Sequence, residues 1–238
     1  MIKNSMTILM VLLSFSAISA IHNVQIQGNS FVPSTLSIQA GDTVVFHNSG
    51  GFHNVKADDG SFRCANACEA LPNDGAGAPS STWTTAAITF NSVGSFNYFC
   101  EIHGGAGGAG MSGVINVSAP SNVAANISVR NFSFAPANVT VNAGDVVHFT
   151  LDQGTHNVRA DDDSFECSDG CLNSGKNLTS EVSSNPWNIY LIMPTPGSYP
   201  YYCEAHGSIG GNGMSGIINV NMPDLIFANG FEATNAGK

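Results

Sequence analysis

The sequence predicts an all-β protein made of two tandem Greek-key β-sandwich domains, and three observations carry that expectation. The first is an internal repeat at a constant offset of 103 residues. Phe31, Pro33, Ala40, Gly41 and Asp42 return as Phe134, Pro136, Ala143, Gly144 and Asp145, and His53-Asn54-Val55 returns as His156-Asn157-Val158. Asp58, Phe62, Cys64 and Cys68 return as Asp161, Phe165, Cys167 and Cys171. Gly94, Tyr98, Cys100, Glu101, His103, Met111, Ser112 and Gly113 return as Gly197, Tyr201, Cys203, Glu204, His206, Met214, Ser215 and Gly216. A repeat of this length is a duplicated domain, because solenoid repeats run only about 20 to 50 residues. The second observation is period-two patterning in short segments bounded by Gly, Pro, Asn and Asp, which reads as strand. Val24-x-Ile26, Leu36-x-Ile38 and Thr43 to Phe46 show it, matched by Ile127-x-Val129, Val139-x-Val141 and Val146 to Phe149. Third, no segment carries a helical apolar stripe, and 238 residues exceed what one sandwich of about 100 residues needs.

Taken in order, residues 1–20 hold Lys3 as their only charge, an apolar run from Met6 to Phe15, and small residues at the end. That is the pattern of a secretory signal peptide, cut after Ala20 or one residue earlier. The run is shorter than the roughly 20 residues that span a bilayer, so no membrane span is expected. The mature chain is then periplasmic or secreted. Domain 1 is expected over 21–119 and domain 2 over 120–222, joined near the polar Ala119-Pro120-Ser121-Asn122. Residues 223–238 form a tail that reads either as a sorting signal or as a strand-like extension on domain 2.

Charge narrows the partners. Only 10% of residues are charged, and 17 acids against 7 bases give a net charge of −10. Nucleic-acid binding is excluded on this count, since no basic surface exists to displace counterions from phosphates. An acidic surface favours a basic partner, or simply keeps an exported protein soluble.

The chemistry gathers in two segments. YFCEIHGGAGGAGMSGVINV sets Cys100, His103 and Met111 in one stretch with His53 upstream; YYCEAHGSIGGNGMSGIINV sets Cys203, His206 and Met214 likewise, with His156 upstream. One thiolate, two imidazoles and a thioether match the trigonal His2Cys site with a weak axial Met that holds copper for electron transfer. A lone His or Met is more often a solvated or core side chain, but here the same four residue types recur at the same spacing. The three clustered ligands are expected on one loop between two strands, at one pole of each sandwich.

On these residues the chain resembles the cupredoxin family, in particular its plastocyanin and pseudoazurin-like members, over nearly all of 21–220 in two copies. The motif Tyr98-Phe99-Cys100-Glu101-Ile102-His103 followed by Gly110-Met111-Ser112-Gly113 is similar to the family's ligand loop. The resemblance implies one type 1 copper per domain, Asn54 and Asn157 bracing the ligand loop from behind the metal, and a redox partner such as a cytochrome or copper enzyme. It also places the C-terminal ligand, His103 or His206, on the electron's path. One departure is plain: seven residues, mostly Gly, separate His103 from Met111, a longer interval than in plastocyanins.

Cys64-x3-Cys68 and Cys167-x3-Cys171 remain. An exported chain makes one disulfide per domain the leading expectation, against a second thiolate metal site or a redox-active dithiol. His22, His47 and His148 lack counterparts in the opposite repeat and read as surface or strand residues. An enzyme of the nitrite reductase or multicopper oxidase kind is disfavoured. Such enzymes use paired histidines, and the chain has no His-x-His; Phe99 and Tyr202 precede the cysteines while Glu101 and Glu204 follow them. A copper store, delivery or tolerance protein shares the same ligands and stands as the alternative, and a metal-free adhesion module is disfavoured by the intact ligand sets.

Overall fold

The computed structural model describes residues 19–68, 75–172 and 181–222. The expected signal peptide up to residue 18 and the tail at 223–238 lie outside the described residues.

Among the described residues, domain 1 holds nine strands: β1 (Ile21–Gln27), β2 (Ser30–Val32), β3 (Thr35–Gln39), β4 (Thr43–His53), β5 (Val55–Ala57), β6 (Arg63–Cys64), β7 (Ser80–Thr89), β8 (Gly94–Gly105) and β9 (Ala109–Ser118). They form one sheet in the order β2-β1-β4-β7 and a second in the order β3-β9-β8-β5-β6. Domain 2 repeats the plan with β10 (Val123–Arg130), β11 (Ser133–Ala135), β12 (Asn138–Asn142), β13 (Val146–Leu151), β14 (Val158–Ala160), β15 (Glu166–Cys167), β16 (Cys171–Leu172), β17 (Asn188–Ile192), β18 (Gly197–Ser208) and β19 (Asn212–Asn221). Its sheets run β11-β10-β13-β17 and β12-β19-β18-β14-β15-β16. The expected two-domain all-β fold is therefore present, and residues 119–122 run between β9 and β10.

Alternation fixes which face each strand buries. In β1 the inward residues are Val24 and Ile26, in β4 Val44 and Phe46, in β8 Tyr98 and Cys100, and in β9 Ile115 and Val117, all buried. Strand β1 lies parallel to β4 and β3 parallel to β9, so residues distant in sequence share each sheet. Phe31, Phe46 and Tyr98 close the first core with edge-on rings whose centroids are 4.9 to 6.2 Å apart. Phe134, Phe149 and Tyr201 do the same in the second, and edge-to-face pairs add to the area they bury. The Tyr201 hydroxyl donates to the Ala137 carbonyl at 2.9 Å, so that phenol is buried without being orphaned.

Two strands differ from the sequence expectation. Strand β4 does not stop at Phe46 but continues to His53, with irregular register after Phe46 and again after Asn48. The Gly-rich interval after His103 is no loose loop. It is the end of a β-hairpin, and that difference matters for the metal centre.

The domains dock through β17. Tyr190 donates its backbone N–H to the Asn91 carbonyl at 2.8 Å, and Val146 and Tyr190 belong to the first domain's apolar cluster.

Candidate metal centres

Each domain gathers one buried donor triangle. His53 ends β4, while Cys100 and His103 lie within β8; their ligand atoms all fall within 4.8 Å of one another. The Cys100 sulfur is 3.7 Å from Nδ1 of His53 and 3.7 Å from Nδ1 of His103. In domain 2 the Cys203 sulfur is 3.5 Å from Nδ1 of His156 and 3.6 Å from Nδ1 of His206, and the two Nδ1 atoms are 3.1 Å apart. A sulfur and a nitrogen spread at 120° around one ion, with bonds of about 2.3 Å and about 2.0 Å as zinc makes them, would sit ~3.7 Å apart. The donor set fits a single three-coordinate ion, and its softness suits copper.

Strand register explains how Cys100 and His103 come together. Strands β8 and β9 pair regularly up to Phe99 opposite Ser112, then resume with Gly104 opposite Gly110 and Gly105 opposite Ala109. Between those pairs the four residues Cys100 to His103 face one, Met111. Domain 2 repeats the bulge: Tyr202 faces Ser215 and Gly207 faces Gly213, leaving Cys203 to His206 opposite Met214. A bulge bends its strand and re-aims side chains, here turning Cys and His towards the same point. Met111 and Met214 are each only 2% exposed and belong to the same apolar clusters as Cys100 and Cys203. The expectation that the three clustered candidate residues share one loop is thus corrected: they lie on two paired strands.

Glycine makes that hairpin possible. A Cβ on Gly104 would lie 2.4 Å from the Met111 carbonyl oxygen, and one on Gly110, at φ +63°, 2.4 Å from the His103 carbonyl oxygen. The hairpin tip is tied down from the β5 end: Gly107 N–H donates to the Asp58 carboxylate at 2.8 Å, and Gly210 N–H to that of Asp161 at 2.9 Å.

Around the triangle, each residue that follows a donor braces the other donor's strand. The Asn54 side chain donates to Gly77 O at 3.0 Å and to the Glu101 carboxylate at 2.7 Å, and accepts the Glu101 backbone N–H at 3.0 Å. Asn157 makes the matching pair with Glu204, at 2.7 and 2.9 Å. Glu101 also accepts from Lys56 at 3.0 Å and Arg63 at 2.7 Å. Burial alone would raise the Glu101 carboxyl, but these donors from Lys56, Arg63 and Asn54 hold it below its usual range. Trp83 donates from its indole to the His53 carbonyl at 2.9 Å. His53 and His156 are 2% and 1% exposed, and burial followed by the neighbouring imidazole presses both below the usual histidine value. Both rings are therefore neutral at pH 7 with a lone pair to offer.

Cys64 is bonded to Cys68 and Cys167 to Cys171, as the leading expectation had it, leaving Cys100 and Cys203 as the free thiols among the described residues. His22 pairs with Asp42 at 2.9 Å, and His47 and His148 hydrogen-bond Asn23 and Asn126; none joins a metal cluster. The sequence reading had not given roles to Asp58, Asp161, Glu101 or Glu204, although all four recur at the repeat offset. Gly51 and Gly154 were missed too: at φ +85° and +91°, a Cβ on either would fall within 2.5 Å of the His53 or His156 ring.

The family model for copper binding proteins of the plastocyanin/azurin family matches residues 19–118 and again 121–221. Plastocyanin of Scenedesmus fuscus is 38% identical over 89 residues, 37% of this chain and 85% of that protein. Chloroplastic plastocyanin of Chlamydomonas reinhardtii is 37% identical over 82 residues, 34% of this chain and 54% of that protein. Among solved structures, oxidised plastocyanin from Dryopteris crassirhizoma is 24% identical, covering 40% of this chain and 99% of that one, with a TM-score of 0.31. With two successive matches that together span most of its length, the chain belongs to the plastocyanin/azurin family of copper binding proteins, in a form that carries the family's domain twice.

Proposed function

We propose that this chain is an exported one-electron carrier with one type 1 copper in each domain, held by His53, Cys100, His103 and Met111 in the first and by His156, Cys203, His206 and Met214 in the second. The observation that carries it is the paired bulge, which sets a Cys-x2-His segment against one buried Met in each domain. Bound copper would supply a couple between Cu(I) and Cu(II). The chain's part is to hold its donors in one arrangement for both states. The Asn54 and Asn157 braces, the hairpin glycines and the buried upstream His give that rigidity, and a site that does not rearrange exchanges electrons readily. The upstream His53 and His156 are buried, while His103 and His206 are half-buried, so the latter offer the edge through which an electron enters.

Three features support the finer points. Disulfides persist in oxidising compartments, which agrees with the secretory leader and a periplasmic or secreted location. The acidic balance suits a basic redox partner, such as a cytochrome or a copper enzyme. Glu101 and Glu204, beside the cysteines, are engaged by cations rather than free to bind a second metal, which speaks against a catalytic cluster there.

The test is copper stoichiometry with visible and electron paramagnetic resonance spectra of the mature protein. Two coppers per chain, an intense thiolate-to-copper band, narrow hyperfine splitting and a reversible couple are expected. Copper bound without a reversible couple would overturn electron transfer and favour storage or delivery.

A further inference from the structure

The ion-pair cluster behind each cysteine is built alike but charged differently. In domain 1, β5 brings Lys56 and β6 brings Arg63 onto Glu101, at 3.0 and 2.7 Å. In domain 2, Arg159 stands in for Lys56 and reaches Glu204, but the residue at the Arg63 position is Glu166, 3.8 Å from the same guanidinium. Asp163, where domain 1 has Gly60, adds a further carboxylate at 2.9 Å from Arg159. At this one equivalent position the two copies exchange a cation, Arg63, for a carboxylate, Glu166. Strand register keeps the correspondence strict: Lys56 pairs with Arg63 and Phe99, and Arg159 with Glu166 and Tyr202.

We infer that the two copper centres are unequal, the first having the higher reduction potential because β6 carries Arg63 where β15 carries Glu166. The inference rests on the electron-carrier reading above. Positive charge near a redox centre favours the state with one positive charge fewer, here Cu(I), and negative charge favours Cu(II). Exposure decides which of the exchanged charges counts. The side chains of Arg63 and Glu166 are 25% and 14% exposed and so are weakly screened, whereas that of Asp163, at 69%, lies largely in water. At half reduction, copper 1 is then mostly Cu(I) and copper 2 mostly Cu(II), so a partially reduced chain stores its electron in domain 1.

The experiment is spectroelectrochemical titration of the full mature protein, with C203A reporting centre 1 alone and C100A reporting centre 2 alone. Two couples are expected, the higher one in C203A. Adding R63E to C203A lowers it, and adding E166R to C100A raises the other, each by on the order of tenfold in the Cu(I)/Cu(II) ratio at a fixed potential. Raising ionic strength in the wild-type protein narrows the gap. Equal potentials, the reverse order, or a charge exchange without effect overturns the inference and leaves electron transfer standing. Should a variant fail to fold, the wild-type titration decides: one wave in which both coppers titrate together overturns the inference. Loss of any reversible couple in the wild type and in both single-centre variants overturns the electron-carrier reading itself.

Discussion

Asn54 and Glu101 are joined twice: the amide of Asn54 donates to the Glu101 carboxylate at 2.7 Å, and its oxygen accepts the Glu101 backbone N–H at 3.0 Å. Each follows a proposed copper ligand in sequence, so this pair locks the strand ending in His53 to the bulge carrying Cys100. Asn54 is fully buried, and removing its side chain takes a hydrogen bond from each of three groups: the Gly77 carbonyl, the Glu101 carboxylate and the Glu101 backbone N–H. The Asn54→Ala variant should lose about 1–3 kcal/mol of stability by denaturant unfolding, with weaker copper retention against a chelator. Asn157→Ala should do the same in domain 2. A variant that unfolds and holds copper like the wild type would show the pair to be incidental.

The bulge also depends on glycines of unequal importance. Gly104→Ala and Gly110→Ala drive a Cβ to 2.4 Å from backbone oxygen, forcing the hairpin open beside Met111. Both should weaken or shift the thiolate-to-copper band of centre 1. Gly105→Ala is the internal control: its nearest neighbour would be 4.0 Å away, and the spectrum should be unchanged. An intact band in Gly104→Ala would mean that the register of β8 against β9 does not set the ligand geometry.

What was legible in the sequence was what lies close along the chain or repeats. The 103-residue offset gave two domains, Cys100-x2-His103 gave a donor pair, and Cys64-x3-Cys68 gave a disulfide. The hairpin was hidden because a run of glycines looks like flexible loop, although Gly104 and Gly110 are there because the paired backbones leave no room for a Cβ. The Glu101 cluster was hidden because its partners sit 38 to 47 residues away, on strands whose neighbours only the sheet order reveals. Period-two patterning reports which face a residue occupies and is silent about who lies across from it.

The disulfides act on that same cluster. Cys64 follows Arg63 on β6 and faces Val55, next to Asn54. Replacing Cys64 and Cys68 with Ser should cost about 2 kcal/mol, the chain-entropy value for so short a closed loop. It should also loosen Arg63 from Glu101 and so lower the potential of centre 1. Calorimetry and redox titration of the double variant check both parts; a stability loss with an unmoved potential would separate the disulfide from the ion-pair cluster.

His148 gives the protein an acid-sensitive contact away from both metals. Its ring stacks on Tyr190 at 4.2 Å and 5°, hydrogen-bonds Asn126 at 3.0 Å, and is held below the ordinary histidine value by burial. Since the folded form resists protonation more than the unfolded chain, the unfolded state binds the extra proton first. Stability from this residue is complete above pH about 6.5 and is lost as pH falls below that towards the lowered folded value. Tyr190 is also the residue whose backbone bonds Asn91 of domain 1, so the loss falls on the contact between domains. In His148→Phe, which keeps a ring against Tyr190 but cannot titrate, the melting temperature should fall less between pH 7.5 and 5, roughly a pH unit or more either side of the ordinary histidine value. Parallel pH profiles for variant and wild type, measured with copper bound to hold His53 and His156, would show that His148 does not govern acid sensitivity.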